Sequence, residues 1–416
     1  MGTSINRNSF FTRRLIQSRG ERRRIGPYRF MTTRFLTGIE VLLEGHLDLV
    51  KGHRVGLVTH PAALTTSGQW SAELLWHHPD VNLACLLGPE HGVYGNAGAG
   101  EPVSTSMYPG WNIPVFSLYG DARKPTQEML DAVDVFIVDL QDLGVRCYTY
   151  VSTLYLVMEA AAEAGKRVIV ADRPIPLPDV FDGPMPDPSL QSFVAHAPLP
   201  LVYGMTQGET AMYLYEQCDW ELDIHILEMW GYKSGPFRRA EWPPWVPPST
   251  GIRSWESAWC YPATVFCEAL PSLDCDRGGI LPFQVLGATW MNGQDLVASL
   301  AERVLPGVTF FPHTYIPHGR KMEEVLVGLR LVVTDPKAFR PVTTGITILE
   351  TLQRVYGPEP LWNADGVRPG FFDQLCGTAS VRTGLQSGAA THTLARAWRE
   401  DMRPFVEARS DCLLYP

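Results

Sequence analysis

The chain has 416 residues, 45% of them hydrophobic and 19% charged, with a formal net charge of −9. That length predicts two domains, or one large domain with an appendage, in a globular protein able to bury a substantial core. No apolar run reaches the ~18 to 20 residues that span a bilayer, and an acidic body argues against nucleic acid as a partner, because phosphate binding needs a basic surface.

The eight cysteines form no CxxC pair and no zinc-like spacing, so they read as reduced, mostly buried thiols. Residues 1–34 stand apart, with nine arginines against a single acid, Glu21. They lack the apolar core of a secretory signal. The stretch reads as a disordered basic leader outside the fold, either an organellar leader or an extension ahead of a start at Met31. With no secretory signal, a cytoplasmic protein is expected.

From about residue 38 to 230, short apolar runs alternate with helical patterns. The predicted strands are "RVGLVT" (54–59), "NLACLLG" (82–88), "IPVFSLY" (113–119), "DVFIVDL" (134–140), "RVIVAD" (167–172) and "DIHILEM" (223–229). Between them lie "SAELLWHHP" and "STLYLVMEAAAEAG", the latter closed by Gly165. Near-continuous apolar strands separated by helices predict an α/β fold, a Rossmann-like doubly wound parallel sheet, over residues 35–240. The four prolines of "EWPPWVPPSTG" forbid regular structure and predict a linker over 241–254. Beyond it, "RKMEEVLVGLRLVVTD", "TGITILETLQRVYG" and residues 398–414 predict a smaller mixed α/β auxiliary domain, 255–416.

In an open α/β sheet, ligands bind at the carboxyl ends of the strands. His60 follows the first of these strands, and Pro89-Glu90-His91-Gly92 follows the second. Asp139, Gln141, Asp142 and Arg146 belong to the fourth strand end, and Asp172 and Arg173 to the fifth. These side chains are predicted to converge on one rim, though an acid after a strand also serves as a helix N-cap. The glycines of 92–100 match neither G-x-G-x-x-G nor a P-loop, and no G-x-S-x-G elbow is present. No ligand spacing recommends a metal site built from His60, Glu90 and His91. Carboxylates and arginines beside Tyr94, Tyr148 and Tyr150 suit a carbohydrate site, one option among several.

The string as a whole resembles the NamZ-type exo-β-N-acetylmuramidases of glycoside hydrolase family 171. The matching segments run nearly end to end: "KGHRVGLVTHPAAL" (51–64), "LLGPEHGVYGNAGAGE" (86–101), "VDLQDLGVRCYTYVSTL" (138–154), "YGMTQGETA" (203–211), "RGGILPFQVLGATW" (277–290) and the closing "LLY". "GPEHG" and "QDLGVRCYTY" are the most specific. The resemblance implies a Rossmann-like domain plus an auxiliary domain with the active site between them. It also implies release of terminal N-acetylmuramic acid, or a related amino sugar, from the non-reducing end of peptidoglycan fragments, without a cofactor or metal.

On that resemblance Glu90 is the expected general acid, kept protonated by a dry pocket, with His91 orienting it. Asp142 is the first choice for the second carboxylate, ahead of Asp139 and Glu268. His60, Gln141, Tyr148, Tyr150, Asp172, Arg173, Arg146 and Arg277 are expected substrate ligands. The arginines would meet the lactyl carboxylate of muramic acid. The family usually has Asn at the positions of His60 and Ile175, and Arg-His at those of Val202 and Tyr203. The segment "FCEALPSLDCDRGG" keeps Glu268 and Arg277 but lacks a Thr-Asn pair. A cleft that binds cell-wall sugars without turnover is the alternative these departures raise.

Overall fold

The computed structural model describes residues 34–234, 242–318 and 325–415, together with the backbone of 22–25. An eight-stranded sheet forms from β1 (Arg22–Ile25), β2 (Arg54–Thr59), β3 (Asn82–Gly88), β4 (Ser106–Met107), β5 (Pro114–Ser117), β6 (Val135–Asp139), β7 (Arg167–Ala171) and β8 (Ile224–Leu227). Its order is β1-β8-β7-β6-β2-β3-β5-β4. Every pairing is parallel except that of β4 with β5. The six predicted strands are all present. Four residues of the basic leader, Arg22–Ile25, run as the edge strand beside β8, while most of the leader lies outside the described residues.

Side-chain alternation explains why the sheet is covered on both faces. Val58, Phe136, Val138, Val168 and Val170 enter one core, and Val55, Leu57, Val135, Ile137 and Ile169 enter the other. Helices α1 (Gly38–Gly45) and α2 (Ser71–His77) contribute buried residues to the second core. Helices α3 (Gln127–Ala132), α4 (Tyr150–Ala164) and α5 (Gln207–Gln217) cover the first. Helix α4 ends at Gly165 in the left-handed conformation, φ 62°, as its sequence predicts.

The second unit holds a three-stranded antiparallel sheet of β9 (Val285–Ala288), β10 (Val308–Tyr315) and β11 (Leu326–Val333), in the order β10-β11-β9. Around it lie α6 (Trp255–Thr264), α7 (Gly293–Ala301), α8 (Pro341–Tyr356), α9 (Glu359–Trp362), α10 (Pro369–Cys376), α11 (Ser380–Gln386), α12 (Thr391–Asp401) and α13 (Arg403–Ser410). Phe266, Leu286, Leu349 and Phe372 from this unit share one continuous core with β2, β6 and α4. The two units therefore pack as a single body. The eight cysteines are free thiols, all but Cys218 buried.

Candidate active site

From β2 the chain runs outward to β3 and β5 on one side, then returns to β6, β7 and β8 on the other. Loops leaving β2 and β6 diverge at this switch point, where open α/β sheets form crevices. A cavity of about 620 Å³ is lined by residues following β3, β5 and β6 and by the second unit. Glu90, Tyr119, Tyr148, Tyr150, Tyr261, Glu268, Arg277, His318 and Arg368 are among its walls.

The loop after β3 is shaped to hold Glu90. His91 adopts φ 72°, a left-handed conformation uncommon outside glycine, and its Nδ1 lies 2.9 Å from the Ala97 carbonyl. The loop then folds back so that the Gly100 amide donates to Glu90 Oε1 at 2.8 Å. Gly100 has φ 77°, which glycine reaches without steric cost. Thr149, just ahead of α4, donates its hydroxyl to Glu90 Oε2 at 2.6 Å. Both carboxylate oxygens are thus fixed from separate elements.

Glu268 enters from the short helical turn that follows α6. Its Oε1 lies 3.1 Å from Arg277 Nη1. Burial raises its carboxyl above the usual range; Arg277 opposes this, and the charge of Glu90 adds to it. Arg368 donates to the Glu268 carbonyl oxygen, and its guanidinium lies 4.5 Å from the Phe371 ring centroid. Tyr148 stands 4.7 Å from Tyr150 and 6.0 Å from Tyr261 between ring centroids, giving the cavity an aromatic wall.

The structure brings together Glu90, His91, Tyr148, Tyr150, Glu268 and Arg277, and leaves the other predicted site residues outside the lining. His60 is fully buried; burial, with the charges of Arg173 and His91, holds its imidazole well below the usual value. Its Nε2 accepts from the Gln141 amide at 2.8 Å. Gln141 turns inward, its Nε2 donating to the carbonyls of Asp142 and Pro174. Asp142 accepts from the Tyr203 hydroxyl, and burial lifts its carboxyl to about 6. It is not part of the cavity wall.

Arg173 and Asp139 neutralise each other in a buried ion pair, 2.5 Å from Nε to Oδ1. Arg146 is wholly buried, and its guanidinium donates to the carbonyls of Pro184, Leu199, Leu375 and Cys376. Burial lowers it to about 10. Gly377 lies against this group, where a Cβ would stand 2.4 Å from Arg146 Nη2. Arg146 is therefore a tie between the two units. Asp172 accepts from Thr206, Gly208 and Arg173, and from the Tyr415 hydroxyl at 2.5 Å. Glu209 beside it accepts from the Leu414 amide at 3.0 Å. The crevice above β7 and β8 thus receives the chain's own C-terminal end.

Several wall residues lie outside the predicted set. Tyr119 ends a predicted strand and Thr149 lies in "QDLGVRCYTY", so strand-end position marks both. Ser249, Gly251 and Ile252 belong to the stretch predicted as a linker, yet they line the cavity, and Pro248 accepts from the Tyr150 hydroxyl at 2.7 Å. No local pattern marks Arg368, which arrives from a distant helix end.

Two family models match the chain: "Exo-beta-N-acetylmuramidase NamZ, N-terminal" over residues 55–256 and "Exo-beta-N-acetylmuramidase NamZ, C-terminal" over 259–415. Peptidoglycan beta-N-acetylmuramidase NamZ of Bacillus subtilis is 36% identical over 385 residues, covering 91% of each chain. A DUF1343 family protein of Bacteroides fragilis superposes with a TM-score of 0.86 at 32% identity, covering 92% of this chain and all of that one. A second DUF1343 protein of the same organism shares the fold, with a TM-score of 0.72 at 24% identity over 92% of this chain and 99% of its own.

Proposed function

The chain belongs to the NamZ exo-β-N-acetylmuramidase family of glycoside hydrolases, and from that membership we propose that it releases N-acetylmuramic acid from the non-reducing end of peptidoglycan fragments. One observation supports this reading above the rest: two glutamates, one from each unit, line a single cavity at the carboxyl ends of the strands. Glycosidic cleavage uses two carboxyl groups flanking the bond, one of which protonates the leaving oxygen.

In this reading Glu90 is the general acid and Glu268 the second carboxylate. Asp142 and Asp139 are set aside because neither lines the cavity. The aromatic wall of Tyr148, Tyr150 and Tyr261 offers ring faces for a sugar. Four positions that depart from the family's usual residues, His60, Ile175, Val202 and Tyr203, are buried and off the cavity wall. The segment without the Thr-Asn pair does reach that wall, at Pro271, Asp274 and Cys275, yet it keeps Glu268 and Arg277 there, which supports turnover over binding alone. Incubation with a disaccharide bearing N-acetylmuramic acid at its non-reducing end should yield the free sugar. Intact disaccharide after prolonged incubation with folded protein would sink the reading.

A further inference from the structure

Among the described residues lining the cavity, the arginines are Arg277 and Arg368, accompanied by the imidazoles of His91 and His318. The arginines are held differently. Arg368 is anchored twice, donating to the Glu268 carbonyl and lying over the Phe371 ring. Arg277 is 41% exposed and meets Glu268, itself 19% exposed, through one contact of 3.1 Å. A guanidinium can give a carboxylate two parallel hydrogen bonds, so this single-ended pairing leaves donors for a better-placed anion.

We propose that Arg277 reads the carboxylate of an anionic sugar by exchanging partners: the incoming carboxylate takes the guanidinium from Glu268, and Glu268 accepts a proton from solvent as its counter-ion leaves. The inference rests on the muramidase reading, since N-acetylmuramic acid carries a lactyl carboxylate that N-acetylglucosamine lacks. Charge drives the exchange. Glu90, Glu268 and Asp274 line the cavity against Arg277 and Arg368, and the ligand's carboxylate adds to their excess of negative charge. One proton relieves it.

Glu268 is the group placed to take it. The groups acting on it are Arg277, Arg368 and Glu90, with the neutral Tyr261 and Cys147 behind. Burial already favours its protonated form, and Arg277 is the first force opposing that. Drawing Arg277 toward a ligand removes the opposition. Substrate binding then brings one proton into the coupled pair of Glu90 and Glu268, the count at which one carboxyl can protonate the leaving oxygen while the other stays ionised. A neutral sugar leaves the Arg277–Glu268 pair intact and carries no proton in.

The test is calorimetric binding of N-acetylmuramic acid and of N-acetylglucosamine, each in phosphate and in Tris, whose ionisation heats differ. The wild-type protein should take up protons with the first sugar and none with the second. Arg277→Gln should weaken N-acetylmuramic acid by at least ~tenfold, the loss that one charge-assisted hydrogen bond brings, and leave the neutral sugar unchanged. Glu268→Gln should abolish proton uptake and keep or tighten binding of the anionic sugar. Equal weakening of both sugars by Arg277→Gln, or uptake undiminished in Glu268→Gln, overturns the exchange alone. Failure of the wild type to bind either sugar overturns the muramidase reading, and the exchange with it.

Discussion

Thr149 Oγ1 stands 2.6 Å from Glu90 Oε2, so the residue ahead of α4 fixes a carboxylate that the β3 loop delivers. Position, more than affinity, should depend on this bond. Thr149→Val is expected to lower kcat by roughly tenfold, equivalent to a net hydrogen bond to a charged group, with little change in KM. Thr149→Ser keeps the hydroxyl and should restore most of the rate. A parallel rise in KM in the Val variant would instead mark Thr149 as a substrate contact.

Glu90→Gln keeps the shape of the side chain and removes the transferable proton. General acid catalysis contributes ~10² to 10⁴-fold. Turnover of the natural disaccharide should therefore fall by at least ~100-fold while sugar binding persists. The deficit should narrow for a substrate with an activated phenol as leaving group, which needs little protonation. Near-normal turnover of the disaccharide would remove Glu90 from the mechanism.

Arg146 should answer in stability and not in affinity. Its loss leaves four buried carbonyls without their donors, at ~1 to 3 kcal/mol for each unsatisfied group. Denaturant unfolding of Arg146→Ala should show a loss on the order of 3 kcal/mol or more. The folded fraction should bind N-acetylmuramic acid as the wild type does.

Glu209 supplies a pH dependence. Burial, with a further push from Asp172, raises its carboxyl to about 7. A carboxyl raised in the folded state holds a proton there that the unfolded chain has lost, so stability falls as pH climbs from about 4.5 to about 7. Glu209→Gln lacks this titration. The stability difference between Glu209→Gln and wild type should grow in the variant's favour across that window, by up to about 3 kcal/mol. A difference independent of pH would show that Glu209 titrates normally.

Much of this architecture is legible in the sequence, because buried strands and amphipathic helices differ in hydrophobic period. The strand-end rule also located the Glu90 loop, since topology decides where loops emerge. It cannot decide where a side chain points. Asp139 and Arg173 leave neighbouring strands and neutralise each other within the fold, and Arg146 turns inward to carbonyls. Density of charge at a strand end therefore marks a buried ion pair or a structural tie as readily as a ligand site. Glu268 and Arg277 came from the family resemblance, and Arg368 from neither route, because its partners lie far away in the chain. Ser249, Gly251 and Ile252 show the same limit, because lack of regular structure says nothing about whether a segment is packed against a cavity.

Tyr415 reaches back to Asp172, and Leu414 to Glu209. Their partners stand 243 and 205 residues earlier in the sequence, so two short bonds close loops that take in the whole second unit. The β7–β8 end of the sheet is thereby tethered to the far end of that unit, and a force on either would load the other.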